Sequence, residues 1–265
     1  MAGEELVSHL SELAARLRRA LISIFIAFIF SFGFGIKIIK IGSDPYIPIP
    51  YPSIDNSIST ILVNKFMNVL LPHQIKLISI GLFDPLYASI EVSLLIAVAV
   101  SLPVFLWELW GFVAPGLYEH EKKLVKASII PSIILFIAGA AFAYLVIIPV
   151  MLKFFLVYDE ALGVEPTLSI KSFIGTVVSF MAAMGLGFQL PLVMAGLTRV
   201  RAVAANTWRR NWRWGVLISF IFALIVSPGT TGGIIETTIG VTLSLLYVIG
   251  MFIAKAIEPK PREKI

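Results

Sequence analysis

The segment Trp107–Lys123, with the sequence WELWGFVAPGLYEHEKK, decides how this chain is organised. It joins two long runs that contain no charged residue, Val92–Trp107 and Ala127–Leu152. The pair Pro115-Gly116 at its centre is typical of a turn, because proline presets φ and glycine accepts backbone angles that other residues avoid. The pattern therefore predicts two apolar helices that are joined by a short polar turn.

The composition indicates a membrane protein. Hydrophobic residues make up 58% of the 265 residues and charged residues only 14%, and the mean hydropathy is +0.94. Soluble domains are typically about 25% charged, whereas a helix that crosses a bilayer needs about 20 mostly apolar residues. We therefore expect one all-α, polytopic membrane domain over residues 1–265.

Six apolar segments predict six transmembrane helices, over residues 20–36, 91–113, 125–152, 172–198, 215–226 and 237–254. The first reaches full length only if Ile38, Ile39 and Ile41 join it while Lys37 and Lys40 extend toward the headgroups. The last two segments are brief, so we expect short final helices and a locally thinner bilayer. Prolines within the second and third segments predict kinks.

Two segments outside the spans have patterns of their own. In residues 1–19, leucines from Leu6 to Leu17 recur at helical spacing, while Glu12 and Arg16 lie on the opposite face in an i, i+4 arrangement. This predicts an amphipathic helix on the membrane surface. Residues 42–86 begin with closely spaced prolines and continue with helical spacing over residues 57–71. We expect an extramembrane loop that contains a short amphipathic helix.

The distribution of basic residues predicts the orientation in the membrane. Fifteen of the 21 Lys and Arg residues lie on the side of the N-terminus in a six-span arrangement, and six lie on the other side. Because cytoplasmic loops are enriched in Lys and Arg, we expect both termini and the loop 114–124 in the cytoplasm and the loop 42–86 outside it. The membrane orientation requires only basic residues in the cytoplasmic loop and does not explain its acids Glu119 and Glu121. These two acids therefore indicate a binding role.

Patterns for catalysis and metal binding are missing from the sequence. His9, His73 and His120 are scattered and the chain has no cysteine, so no zinc-ligand spacing occurs. Tyr158-Asp159 matches only half of an intramembrane aspartyl protease site. The basic residues lie beside apolar runs rather than in one patch, which argues against a nucleic-acid partner. We expect neither an enzyme nor a bound cofactor.

Gln189 is a polar residue inside the fourth predicted span. It lies between Phe188 and Leu190 and two residues before Pro191. An amide in hydrocarbon must find a hydrogen-bond partner, because an unsatisfied polar group there is costly. Either the amide joins two helices of this chain, or it binds a polar group of a partner helix. The sequence leaves both interpretations open.

Five motifs spread over nearly the whole chain carry a family resemblance. They are His9–Leu13 with Arg16-Leu17, Trp110–Tyr118 with Glu121, Phe136–Tyr144 with Pro149, Gly185–Pro191, and Ser227-Pro228. In this order they resemble the TatC family, the multispanning core of the twin-arginine protein translocase. The resemblance implies six helices in a cup-like arrangement. It also implies a cell-membrane receptor that binds twin-arginine signal peptides of folded precursor proteins at the cytoplasmic face. Its implied partners are TatA/TatB-type single-span proteins and further copies of the chain.

The resemblance places the signal-peptide site on Glu12 and Glu121, with Leu10, Arg16 and Tyr118 beside them. Carboxylates suit this task, because they bind guanidinium groups through bidentate, charge-assisted hydrogen bonds. The alternative for Glu121 is that it pairs with the lysines that follow it.

The resemblance also assigns a partner site to Gln189 and Pro191. The family usually has a glutamate where this chain has Gln189, so a titrating carboxylate is missing here while polar contact with a partner helix is retained. A second departure is Ala14, where the family usually has arginine.

An alternative function is that of a small multispanning secondary solute transporter. Such proteins are expected to show inverted repeats and ionisable groups near the membrane midplane. The sequence has no detectable internal repeat, and Glu91, Glu108 and Glu236 lie nearer the ends of spans than their centres.

Overall fold

The computed structural model describes residues 2–40, 46–113, 128–227, 229 and 231–259. The elements in chain order are α1 (Ala2–Gly33), β1 (Phe34–Lys40), β2 (Tyr46–Pro52), α2 (Ile58–Leu70), β3 (Lys76–Ile78), α3 (Asp84–Val113), α4 (Ile129–Phe142), a π-helical turn (Ala143–Ile147), α5 (Ile148–Leu162), β4 (Thr167–Ser169), α6 (Ile170–Gly187), α7 (Leu190–Arg199), α8 (Ala205–Arg210), α9 (Trp212–Val226) and α10 (Ile234–Ile257). The chain divides into two units, residues 1–105 with 152–179 and residues 106–151 with 180–265.

Apolar helices account for all six predicted spans. Four segments are long and apolar enough to cross a membrane by length and composition, namely Asp84–Leu109, Ile129–Leu162, Ile170–Arg199 and Ile234–Ile257. The second half of α1 corresponds to the first predicted span, and α9, with 15 residues, to the fifth. The prediction of an all-α, polytopic membrane fold is confirmed.

The final two helices differ in length. The fifth is short, as predicted, but α10 has 24 residues, so the prediction of a short last helix is wrong. α10 begins before the apolar run because Glu236 in its first turn is satisfied locally. The hydroxyl groups of Ser227 and Thr231 donate to the Glu236 carboxylate at 2.6 and 3.0 Å.

The first unit begins with one uninterrupted helix of 32 residues. The segments predicted as a surface helix and as the first span both belong to α1, since no glycine or proline falls between residues 4 and 32. The predicted continuation of that span through Ile38 and Ile39 is wrong, because both residues lie in β1; Ile41 lies outside the described residues. β1 pairs with β2 in an antiparallel hairpin. The N–H of Ser53 donates to the carbonyl of Gly33 at 2.9 Å and closes the hairpin against the helix end.

The region between β2 and α3 is ordered around α2. Ser57 caps this helix by accepting the N–H of Thr60 at 3.2 Å. Val63, Phe66 and Leu70 form its buried face, which confirms the predicted short amphipathic helix. β3 pairs in parallel with β4 from a distant part of the sequence, a contact that local patterns do not predict.

Small residues bring the helices of the second unit close together. A Cβ atom on Gly139 of α4 would collide with the carbonyl oxygen of Met184 of α6. A Cβ atom on Gly185 would lie 2.8 Å from the ring of Phe136. Gly185 in the fourth predicted span therefore permits close packing of α6 against α4.

The fourth predicted span consists of two helices. α6 ends at Gly187 and α7 begins at Leu190, with Pro191 in its first turn. Pro191 has no N–H with which to continue the helical ladder. The N–H of Gln189 instead donates to the carbonyl of Leu186 at 3.0 Å, a tight turn of the 3₁₀ kind. This break positions Gln189.

Candidate functional site

Gln189 lies at the break between α6 and α7 and is only 7% exposed. Its Nε2 atom donates to the carbonyl oxygen of Ser132 at 3.0 Å and to that of Gly185 at 3.4 Å. The amide nitrogen therefore joins α4 to the α6–α7 break within this chain. The amide oxygen Oε1 is buried and has no hydrogen-bond partner among the described residues. The interpretation that the amide joins helices of this chain thus applies to its nitrogen. The other interpretation, that Gln189 binds a polar group of a partner helix, stays open for the amide oxygen.

Pro191 contributes to the same site through packing. It is buried at the start of α7, and a Cβ atom on Gly250 would lie 3.1 Å from the Cα atom of Pro191. α10 therefore passes close to the first turn of α7. Pro191 both breaks the fourth span and holds the last helix beside the break.

A groove of about 390 Å³ opens beside Gln189 in the second unit. Residues from α6 to α10 form its walls, and Gln189 is among otherwise mostly apolar lining residues. Leu186, Val193 and Ile218 on these walls are exposed. The groove thus has an apolar surface, and one of its lining residues, Gln189, carries a buried acceptor without a partner among the described residues.

Glu12 lies on α1 and pairs with Arg16 one turn later. The carboxylate oxygen Oε1 accepts from Nη2 of Arg16 at 2.7 Å and from Nε at 3.0 Å, which confirms the i, i+4 spacing. The other oxygen, Oε2, has no hydrogen bond within the described part of the chain, and 37% of the Glu12 side chain is exposed. Leu10 is exposed on the same helix. α1 therefore presents an oriented carboxylate on one face and an exposed apolar side chain on the opposite face.

Glu121 and Tyr118 lie in residues 114–127, outside the described residues. Their nearness to Glu12 accordingly stays a prediction. α3 leads into this segment, and Glu108 near its end is 9% exposed. Glu108 therefore lies near the end of its span, as the sequence predicts, and is buried there.

Two further acids have environments that the sequence analysis did not identify. The carboxylate of Glu236 accepts from two hydroxyl groups, as described above. In the first unit, Oε2 of Glu91 is buried without a hydrogen-bond partner among the described residues. It lies beside α6, where a Cβ atom on Gly175 would be 3.0 Å from it. The Ser- and Thr-containing turn before Glu236 is a usable sequence signal, whereas no local pattern indicates the surroundings of Glu91.

Comparison with known proteins identifies relatives along nearly the whole chain. The family described as Sec-independent protein translocase protein (TatC) matches residues 8–237. The TatC protein of Cenarchaeum symbiosum (strain A) is 31% identical over 255 residues, which cover 96% of each chain. The TatC protein of Aquifex aeolicus (strain VF5) is 28% identical over 259 residues, which cover 97% of this chain and 98% of that protein.

The fold is also similar to a solved structure. A crystal structure described as that of the twin-arginine translocase receptor TatC superposes with a TM-score of 0.73 and 26% identity. The match covers 94% of this chain and 99% of that one. The family resemblance seen in the sequence motifs is confirmed, as is a multi-pass membrane protein that takes part in protein translocation and is not an enzyme. By its sequence over residues 8–237 and by its fold, the chain belongs to the TatC family of Sec-independent protein translocase proteins.

Proposed function

We propose that this chain is the receptor subunit of a twin-arginine translocase. In this proposal Glu12 and Glu121 bind the arginine pair of a signal peptide at the cytoplasmic face of the cell membrane, and both termini are cytoplasmic. Family membership over most of the chain carries the proposal, supported by the similar protein that is described as a twin-arginine translocase receptor. That family gives no support to the alternative of a solute transporter.

The geometry of Glu12 supports this role. Arg16 holds Oε1 and leaves Oε2 available among the described residues, so an arriving guanidinium meets an oriented carboxylate. Arg16 therefore orients the carboxylate and does not occupy all of its acceptor positions. Exposed Leu10 offers an apolar contact to the hydrophobic part of a signal peptide. Glu121 and Tyr118 complete the site in the cytoplasmic loop.

The groove beside Gln189 supports a second part of the proposal, assembly with a single-span partner of the TatA/TatB type. Its exposed apolar walls suit one face of a transmembrane helix. Oε1 of Gln189 is buried and has no partner among the described residues, and a donor on that helix would satisfy it once the side chain turns toward the groove. Small residues and polar groups are the features that hold helices together in lipid, where apolar side chains gain little from leaving the lipid tails. A complex with several copies of the chain belongs to the same proposal.

Site-specific cross-linking tests the receptor role. A photoreactive amino acid in place of Leu10 should cross-link to a twin-arginine signal peptide and much less to its twin-lysine variant. The matched control is Leu82, which is 89% exposed in the loop before α3 and should give no cross-link. Equal cross-linking at both positions, or none at Leu10, would contradict the proposal.

A further inference from the structure

We propose that a pocket between α8 and the end of α10 binds the phosphate headgroup of an anionic phospholipid. The pocket has a volume of about 400 Å³ within the second unit. Asn206 and Arg209 of α8 form one wall, and Met251, Phe252 and Lys255 of α10 form the other. This inference goes beyond the receptor function and requires only that the chain lies in a membrane.

Hydrogen bonds between separate elements fix the walls of this pocket. The indole N–H of Trp208 donates to the hydroxyl oxygen of Thr198 at 2.9 Å. The hydroxyl group of Tyr247 donates to the backbone carbonyl of Trp208, also at 2.9 Å. Nη1 of Arg199 donates to the carbonyl of Ile257 at 3.0 Å and anchors the end of α10 to α7. α8 and the end of α10 are therefore held in place before any ligand arrives.

The pocket carries a positive charge. Arg209 and Lys255 are exposed and form no ion pair within the described residues. Glu258 also lies at the pocket, but its Oε1 accepts the backbone N–H of Ala205 at 2.9 Å, so one carboxylate oxygen is already engaged. The two cations outnumber this single acid, so the net charge of the pocket is positive, and the amide of Asn206 provides a further hydrogen-bond donor. A guanidinium and an ammonium group on opposite walls are suited to the oxygens of one phosphate.

The position of the pocket favours a lipid over a soluble anion. Lys255 lies in the last turn of α10, where the helix leaves the apolar region. Phe252, next to the cations, is 69% exposed. A free phosphate gains nothing from this ring, whereas the acyl chain of a lipid covers it. Exposed Trp212 and Trp214 at the start of α9 are typical of the headgroup level of a bilayer.

Lipid binding to the purified full chain in detergent tests this inference. Native mass spectrometry would measure the occupancy of phosphatidylglycerol and of phosphatidylcholine as each lipid is titrated. Arg209→Gln and Lys255→Gln should each weaken phosphatidylglycerol binding about tenfold, because each removes a charge-assisted contact. The matched control is Arg210→Gln, which makes the same change on the same helix outside the pocket and should leave the affinity unchanged.

A variant that should bind the lipid more tightly distinguishes an effect on the pocket from a folding defect. Glu258→Gln keeps an acceptor for the N–H of Ala205 and removes the negative charge, so it should bind phosphatidylglycerol more tightly than the wild type does. Equal losses in the Arg209 and Arg210 variants would overturn the assignment by showing unspecific attraction. Equal affinity for phosphatidylcholine would also overturn it. Displacement of the lipid by equimolar inorganic phosphate would assign the pocket to a free anion instead.

Discussion

Replacement of Gln189 by leucine separates its two roles. The change removes the 3.0 Å hydrogen bond from Nε2 to the carbonyl of Ser132, and such bonds between membrane helices contribute about 0.6 kcal/mol on average. Leucine has a similar size, so little cavity forms. The change also removes the unpartnered oxygen Oε1, which offsets part of the loss. We therefore expect the free energy of unfolding to fall by less than about 1 kcal/mol.

Partner binding should respond differently. If a donor on a partner helix bonds to Oε1, its loss costs about 0.6–1.7 kcal/mol, which weakens assembly about three- to twentyfold. Energy transfer between the labelled chain and a labelled single-span partner in nanodiscs would measure this affinity. Gln189→Glu keeps an acceptor oxygen, and as the neutral acid it still has an O–H to donate to the carbonyl of Ser132, so this variant should retain assembly. Ser219→Ala is the control, because this groove residue donates to the carbonyl of Gly215 within its own helix. Equal partner affinity for the wild type and Gln189→Leu would refute the role of Oε1.

Three further predictions concern stability and topology. Gly139→Val should destabilise the protein by at least about 1–3 kcal/mol, because its side chain meets the backbone of Met184; unfolding in detergent would measure this. Glu236→Ala leaves two buried hydroxyl groups unsatisfied and should cost more stability than Glu236→Gln, which keeps an acceptor; equal losses in the two variants would contradict this account. Since the chain has no cysteine, Asp55→Cys introduces a single thiol. An impermeant thiol reagent should label it from outside the cell. Labelling that occurs only after the membrane is opened would contradict the predicted topology.

The apolar helices were predictable because the physical requirement is simple. In hydrocarbon every backbone polar group needs an internal partner, so long uncharged runs such as those of α3 and α4 become helices. The pairing of Glu12 with Arg16 was predictable for a similar reason, since i, i+4 spacing places them on one helix face. In both cases the interaction is local in the sequence.

The elements that were missed depend on distant partners or on competing local preferences. The hydropathy of Ile38 and Ile39 predicts a continued span, but both residues follow Gly33 and pair with the proline-rich strand β2. The pairing of β3 with β4 joins residues far apart in the sequence. Pro191 was a visible signal, yet the bond from Gln189 to Ser132 requires the packing of α4 against α6. The pocket at Arg209 likewise exists only because hydrogen bonds join α8 to the end of α10.

The affinity of the chain for a twin-arginine peptide and for its twin-lysine variant tests the receptor role most directly. Wild type, Glu121→Gln and Glu12→Gln would be compared, with Glu165→Gln, an exposed acid paired with Lys76 in the first unit, as the control. Charge-assisted hydrogen bonds contribute about 1.5–3 kcal/mol each. We therefore predict that Glu121→Gln weakens twin-arginine binding at least about tenfold, that Glu12→Gln weakens it less because Arg16 already shares that carboxylate, and that the control binds like the wild type. Unaltered affinity and unaltered preference for arginine in both Glu121→Gln and Glu12→Gln would contradict the account.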